Sequence, residues 1–277
     1  GRREFLVAGA AALPSVALAG HVFAAAHERK GGAPYGGFRM GSQSYSFRHF
    51  KNPADAIAKL KELGLSNMEF CNVHFKPDAS DPGFAGIKAL IAASGISVPV
   101  FGVEGFGKDE AANRKKFEFA KALGLEAISA DVEKEGNVFK NVDALCKEFN
   151  IKIGIHNHGP GARYDKVTDT LDAVKGSSVL VGACVDTGHA IRSGEKPHEA
   201  IAALGERVHS LHLKDWKNGG AEQIVGEGDM DLVAVVKALK SIKFTGPIML
   251  EYEDHEDDPV PHMKKGLENW QKACDTA

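Results

Sequence analysis

The sequence predicts an α/β protein built as a closed (β/α)8 TIM barrel. Eight short apolar runs alternate with helical patterns along the chain, and four of the later runs each end on a side chain able to hold a metal. Length agrees: 277 residues with 43% hydrophobic content suit one barrel of about 250 residues with little to spare.

The amino terminus reads as a separate object. Arg2-Arg3-Glu4-Phe5-Leu6 precedes the small, apolar run Val7–Ala19, which holds Pro14 and a small-residue Ala17-Leu18-Ala19 pattern. This resembles a twin-arginine export signal over residues 1–19, and it implies a periplasmic or cell-envelope location with export in the folded state. The run is too short and too rich in Ala and Gly for a membrane span of ~20 residues, so no stable membrane insertion is expected once the signal is gone. Residues 20–37, mostly Ala, Gly and charge, read as a tether, and residues 38–277 as one barrel domain.

Strands are expected over Phe38–Ser44, Asn67–Phe70, Ser97–Gly102, Ala127–Ala130, Ile151–Ile155, Leu180–Val185, Val208–Leu213 and Ile248–Glu251. Such nearly continuous apolar stretches fit strands covered on both faces, as in a parallel sheet. Between them, Pro53–Leu63 carries Pro near its first turn and Gly64 behind it, with Ala56, Ile57, Leu60 and Leu63 on one face. Glu110–Leu123 ends before Gly124, and Asp231–Ile242 repeats the habit; these are ordinary helix start and stop signals. A doubly wound open sheet is the alternative fold. It calls for a glycine-rich phosphate turn after the first strand, where the chain instead reads Gly41-Ser42-Gln43-Ser44-Tyr45-Ser46-Phe47-Arg48, without GxGxxG.

A net charge of −3 with no long basic run excludes the electrostatic footprint of a nucleic-acid binder. Cys71, Cys146, Cys184 and Cys274 lack CxxC spacing, so neither a zinc knuckle nor a disulfide framework is indicated. The ligand candidates lie elsewhere. His156, Asp186, His212 and Glu251 close four successive apolar runs at spacings of 30, 26 and 39 residues, each about one βα unit, which brings them to one rim of the barrel. Two imidazoles and two carboxylates match a mixed nitrogen and oxygen site for one divalent cation. Mn²⁺ or Zn²⁺ is favoured, with Co²⁺, Fe²⁺ and Mg²⁺ as alternatives and Ca²⁺ disfavoured.

The motifs Gly41-Ser42-Gln43-Ser44-Tyr45-Ser46-Phe47, Met68-Glu69-Phe70, Gly154-Ile155-His156-Asn157-His158-Gly159, Asp186-Thr187-Gly188-His189, His212-Leu213-Lys214-Asp215, Gly226-Glu227-Gly228 and Leu250-Glu251-Tyr252-Glu253 occur in that order. From about Phe38 to Ala273 the chain resembles the xylose isomerase-like TIM-barrel superfamily of sugar phosphate isomerases and epimerases, inosose dehydratase and endonuclease IV (AP endonuclease family 2). In its epimerase branch the resemblance implies one divalent ion held by Glu, Asp, His and Glu. Asp186, His212 and Glu251 match the last three positions, and His156 replaces the first carboxylate. Those epimerases use two metal-bound carboxylates as bases, and only Glu251 is kept here.

The implied activity is that of a metal-dependent sugar isomerase or epimerase, by proton abstraction next to a carbonyl and a metal-stabilised enediolate. Glu251 or His158 would take the proton. His189 and Lys214 are candidates both for catalysis and for holding substrate oxygens, Glu69 for binding sugar hydroxyls, and Trp216 for covering a sugar face. A lyase or dehydratase acting on a keto-sugar or 3-keto-glycoside is the alternative, favoured by His156. Endonuclease IV-like hydrolysis is disfavoured, because Ala221-Glu222-Gln223 stands where that branch has Asp-x-His. The expected partner is a small-molecule sugar or sugar derivative, not nucleic acid, and the sequence leaves a homo-oligomer open.

Overall fold

In the computed structural model, which describes residues 33–277, the apolar runs become the staves of a closed parallel barrel. In chain order the elements are β1 (Arg39–Gln43), α1 (Pro53–Glu62), β2 (Asn67–Phe70), α2 (Phe84–Ser94), β3 (Ser97–Phe106), α3 (Glu110–Leu123), β4 (Ala127–Val132), α4 (Val138–Phe149) and β5 (Lys152–His156). There follow α5 (Val167–Val174), β6 (Val181–Asp186), α6 (Thr187–Arg192), α7 (Pro197–Leu204), β7 (Val208–Leu213), β8 (Asp215–Trp216), β9 (Glu222–Gln223), α8 (Leu232–Ser241), β10 (Pro247–Leu250) and α9 (Val260–Thr276). The barrel order is β1-β10-β7-β6-β5-β4-β3-β2, with β8 and β9 forming a separate two-stranded hairpin. Among the described residues no helix is long and apolar enough to cross a membrane.

Local chemistry sets the element ends. Asn52 accepts the Ala54 N–H at 3.0 Å ahead of Pro53, and Asp109 accepts those of Ala111 and Ala112, each at 3.0 Å; both satisfy donors that a helix start leaves free. Gly124 closes α3 at φ 83°, a left-handed conformation that a side chain resists. Outside the staves, the core is rich in aromatics: Phe101 and Phe119 meet edge to face at 5.1 Å, and Phe106 and Phe117 at 5.8 Å. Burying each such ring contributes roughly 1.5–3 kcal/mol.

Besides the unexpected β8–β9 hairpin and a two-residue extension of β4 to Val132, β3 and the tether depart from the sequence expectation. β3 continues past Gly102 to Phe106, because Glu104, Gly105 and Phe106 pair with Ala130, Asp131 and Val132 of β4. A charge hid this extension from the apolar pattern; buried Glu104 is compensated by Lys116 at 3.1 Å. The tether also ends earlier than its composition implies. Pro34–Gly37 form a 3₁₀ turn, and the Tyr35 N–H donates to Gln271 of α9 at 2.7 Å. The expected export signal over residues 1–19, and residues 20–32 of the tether, lie outside the described residues.

Candidate metal and substrate site

Because all eight staves run the same way, their carboxyl ends share one rim. His156 closes β5, Asp186 closes β6, His212 is the penultimate residue of β7, and Glu251 directly follows β10. The register sets Asp186 beside His212 and His212 beside Met249. One ligand atom from each of the four residues lies within 4.8 Å of every other. His156 Nε2 is 3.0 Å from His212 Nδ1 and 3.5 Å from Asp186 Oδ2, and Glu251 Oε2 is 3.0 Å from His212 Nδ1.

All four side chains are buried, yet Asp186 Oδ2 and Glu251 Oε2 form no well-aligned hydrogen bond within the protein and meet Lys214 only at ion-pair distance. A buried carboxylate oxygen without a donor is costly. Two such oxygens converging with two imidazole nitrogens fit a divalent ion of nitrogen and oxygen preference, whose ligands stand roughly 2.0–2.2 Å from the metal.

The supports behind this ring are specific. The free Nε2 of His212 faces Glu69 Oε2 at 3.0 Å, which fixes the ring so that Nδ1 points to the centre. Asp186 Oδ1 accepts the His189 N–H at 2.7 Å. The Asn157 side chain clasps the Asp186 backbone twice, donating to its carbonyl at 2.9 Å and accepting its N–H at 2.8 Å. On the far side, the Asp215 carboxylate accepts N–H groups from Trp216, Gly226, Gly228 and Met230 at 2.8–3.1 Å. That wrap explains the Gly226-Glu227-Gly228 motif, since a Cβ at Gly228 would fall 2.2 Å from Asp215 Oδ1.

Charge holds the site in one protonation pattern. Lys214 is only 2% exposed; its Nζ pairs with Glu253, lies 3.4 Å from Glu251 Oε2 and 3.7 Å from Asp186 Oδ2. Burial works against its charge, but Glu251, Asp186 and Glu253 overcome this and raise its pKa above the ordinary lysine value. Burial likewise opposes ionisation of Glu251, and Lys214 and His212 override it, keeping the carboxylate well below its usual range. Burial, followed by neighbouring His156 and His189, pushes His158 down to about 4. Glu222 is pushed up to about 8 by burial, against the opposing effect of Lys214.

These groups open onto a cavity of about 630 Å³. The rings of His156, His158 and His189 cluster on its wall with centroids 4.5–5.8 Å apart. His212, Lys214, Glu251 and Trp216 line it too. Of the residues singled out in the sequence, Glu69 alone stands apart from both the ligand ring and the cavity wall: it is fully buried behind His212. This position corrects its expected contact with sugar hydroxyls. Glu253, from the last motif, also lines the cavity and meets Lys214. Sequence reasoning missed Arg192, Asn157, Asp215 and Glu222. Asn157 and Asp215 lie within the family-like motifs, but their roles are backbone contacts that spacing does not announce.

The model of the Xylose isomerase-like TIM barrel family matches residues 57–274. An inosose dehydratase of Clostridium botulinum (strain Alaska E43 / Type E3) is 24% identical over 248 residues, covering 78% of this chain and 80% of the relative. Among solved structures, an uncharacterized protein from Parabacteroides distasonis superposes with TM-score 0.66 at 28% identity, over 85% of this chain and 98% of its own. A D-tagatose 3-epimerase-like protein does so with TM-score 0.67 at 18% identity, over 86% and 99%, a likeness of fold. With the barrel closed, the family motifs in order and the match spanning most of the chain, the protein belongs to the xylose isomerase-like TIM barrel family.

Proposed function

We propose that the protein is a divalent-metal-dependent lyase that removes a β-oxygen substituent, as water or an alcohol, from a keto-sugar or keto-glycoside. The observation that carries this reading is the asymmetry of the ligand ring. Glu251 lines the cavity with the imidazoles of His156 and His212, whereas Asp186 is fully buried beneath them. Within the ring, one carboxylate facing the cavity suits one proton abstraction, while symmetric epimerisation by two ring carboxylates asks for a second. The dehydratase relative supports elimination.

A divalent ion, when bound, supplies Lewis acidity to a substrate carbonyl and its neighbouring hydroxyl. The chain's own residues do the rest. Glu251, ionised by its contacts with Lys214 and His212, takes the proton from the carbon next to the carbonyl. The electron pair of that C–H bond becomes the new C=C bond as the adjacent C–O bond breaks, and the departing oxygen takes up one proton as Glu251 gives up the one it took, which restores the carboxylate. Lys214 and His189 hold substrate oxygens, and Trp216 covers the sugar face.

An isomerase or epimerase is the second reading. It is favoured by His158 and His189, tilted rings 5.2 Å apart on the cavity wall that offer a second proton acceptor. Metal-loaded protein mixed in D₂O with a panel of aldoses, ketoses and 3-keto-glycosides separates the two. The lyase releases an enone together with water or aglycone. Deuterated isomer or epimer with no loss of oxygen would overturn the lyase in favour of the second reading. Export by the twin-arginine route belongs to the same proposal, resting on the Arg2-Arg3 leader. Replacing both arginines by Lys should retain the protein in the cytoplasm, and continued export would remove that part.

A further inference from the structure

Two guanidinium groups reach the cavity, and each lies on an aromatic face: Arg48 Cζ is 4.8 Å from the Tyr45 ring centroid, and Arg192 Cζ is 4.8 Å from that of Trp216. They differ in what answers their charge. Arg48 is neutralised, pairing with Glu256 and donating to the Glu253 carbonyl. Arg192 meets no carboxylate among the described residues. Its one protein hydrogen bond there is from NH1 to His189 Nδ1, at 2.9 Å. Because a guanidinium only donates, that contact uses one N–H and no compensating charge. The room for the group is built in: a Cβ at Gly159 would stand 2.9 Å from Arg192 Cζ.

The other charges of the cavity are matched. Asp186 and Glu251 answer a divalent ion, and Lys214 is paired with Glu253. Asp254 is exposed, where water screens its charge, and burial raises Glu222 toward its neutral form. Arg192 is left as a fixed, half-buried cation on the wall of a site that otherwise balances. A planar fork of donors on an aromatic face is the geometry that receives a planar oxyanion.

We propose that Arg192, backed by Trp216, forms a carboxylate subsite, so that the substrate class of this cavity is the sugar acid rather than the neutral sugar. A single uncompensated charge matches one carboxylate better than a doubly charged phosphate ester. The inference rests on the cavity being the substrate site, but it does not depend on which reaction follows.

Trp216 supplies the probe. The chain has 2 tryptophans, and Trp270 is wholly buried in the core, so ligand-induced changes in fluorescence report Trp216. Zinc-loaded protein is titrated with D-gluconate and D-glucitol, D-galactonate and galactitol, D-ribonate and ribitol, and D-glucitol 6-phosphate. At least one acid should bind about tenfold or more tighter than its alditol, as expected for a charge-assisted contact. Arg192→Gln should remove that preference while leaving alditol affinity within about twofold, and Arg192→Lys should keep part of it. Three results each overturn the subsite: no acid preference in any pair, a preference that survives Arg192→Gln because the metal alone takes the carboxylate, or tighter binding of the phosphate ester. Loss of alditol binding in Arg192→Gln would also overturn it, by making Arg192 a general structural support. Failure of the lyase reading looks different, since it appears in the products and leaves these affinities unchanged.

Discussion

At the scale of single residues, the site separates groups that face the centre from groups that aim them. Asp186 and His212 each contribute an atom to the ring, so Asp186→Ala and His212→Ala should each lose most bound metal by elemental analysis; full occupancy in both would contradict the ligand set. Glu69 touches only the outer nitrogen of His212. Glu69→Gln should therefore weaken metal affinity about 10–100-fold without removing the ring, a shift read by competition with a chelator. The four residues of the ring were legible in the sequence because each terminates an apolar run. Glu69 was legible as a strand-end carboxylate, but not in its direction. Arg192 was invisible for another reason: its significance lies in a missing partner, which only the assembled cavity reveals.

At the scale of elements, the eight strands were readable because burial on both faces leaves long apolar runs, and the exceptions follow the same logic. β3 outran its expected end where Glu104 is hidden by Lys116, and the β8–β9 hairpin is two residues wide on each side, too short to carry a pattern. The hairpin is instead tied to the turn that follows by the Asp215 carboxylate. Asp215→Ala leaves four N–H groups without their acceptor and should destabilise the protein by roughly 3 kcal/mol, measured by urea unfolding; a change within ~0.5 kcal/mol would refute the wrap. Low on β7, His209 is pushed down to about 4 by burial and then by Lys152. A histidine kept neutral in the folded state but titrating near 6.5 when unfolded stabilises the fold above about pH 6.5 and loses that contribution as pH falls toward 4. His209 alone should account for about 3 kcal/mol of the fall in unfolding free energy over that window, so the fall should be smaller by about that amount in His209→Asn. Equal slopes in the two proteins would assign the acid sensitivity elsewhere.

At the scale of the whole molecule, a barrel assembled from consecutive βα units brings together residues that are 30, 26 and 39 positions apart, and a metal that binds only the assembled ring should stabilise the fold. At a hundredfold excess over its dissociation constant the gain is about 2.7 kcal/mol, visible as a rise in Tm that is absent in His212→Ala. In the proposed lyase, chemistry depends on Glu251, the ring carboxylate that faces the cavity. The decisive measurement follows solvent deuterium and released alcohol together, in wild type and Glu251→Gln, on a 3-keto-glycoside and on its carboxylate-bearing uronic acid counterpart, with metal occupancy matched. Wild type should release the aglycone with an enone product, and Glu251→Gln should neither release it nor incorporate deuterium. Near-normal deuterium incorporation by Glu251→Gln, or wild type returning a deuterated epimer with its aglycone intact, would contradict a single-carboxylate elimination site.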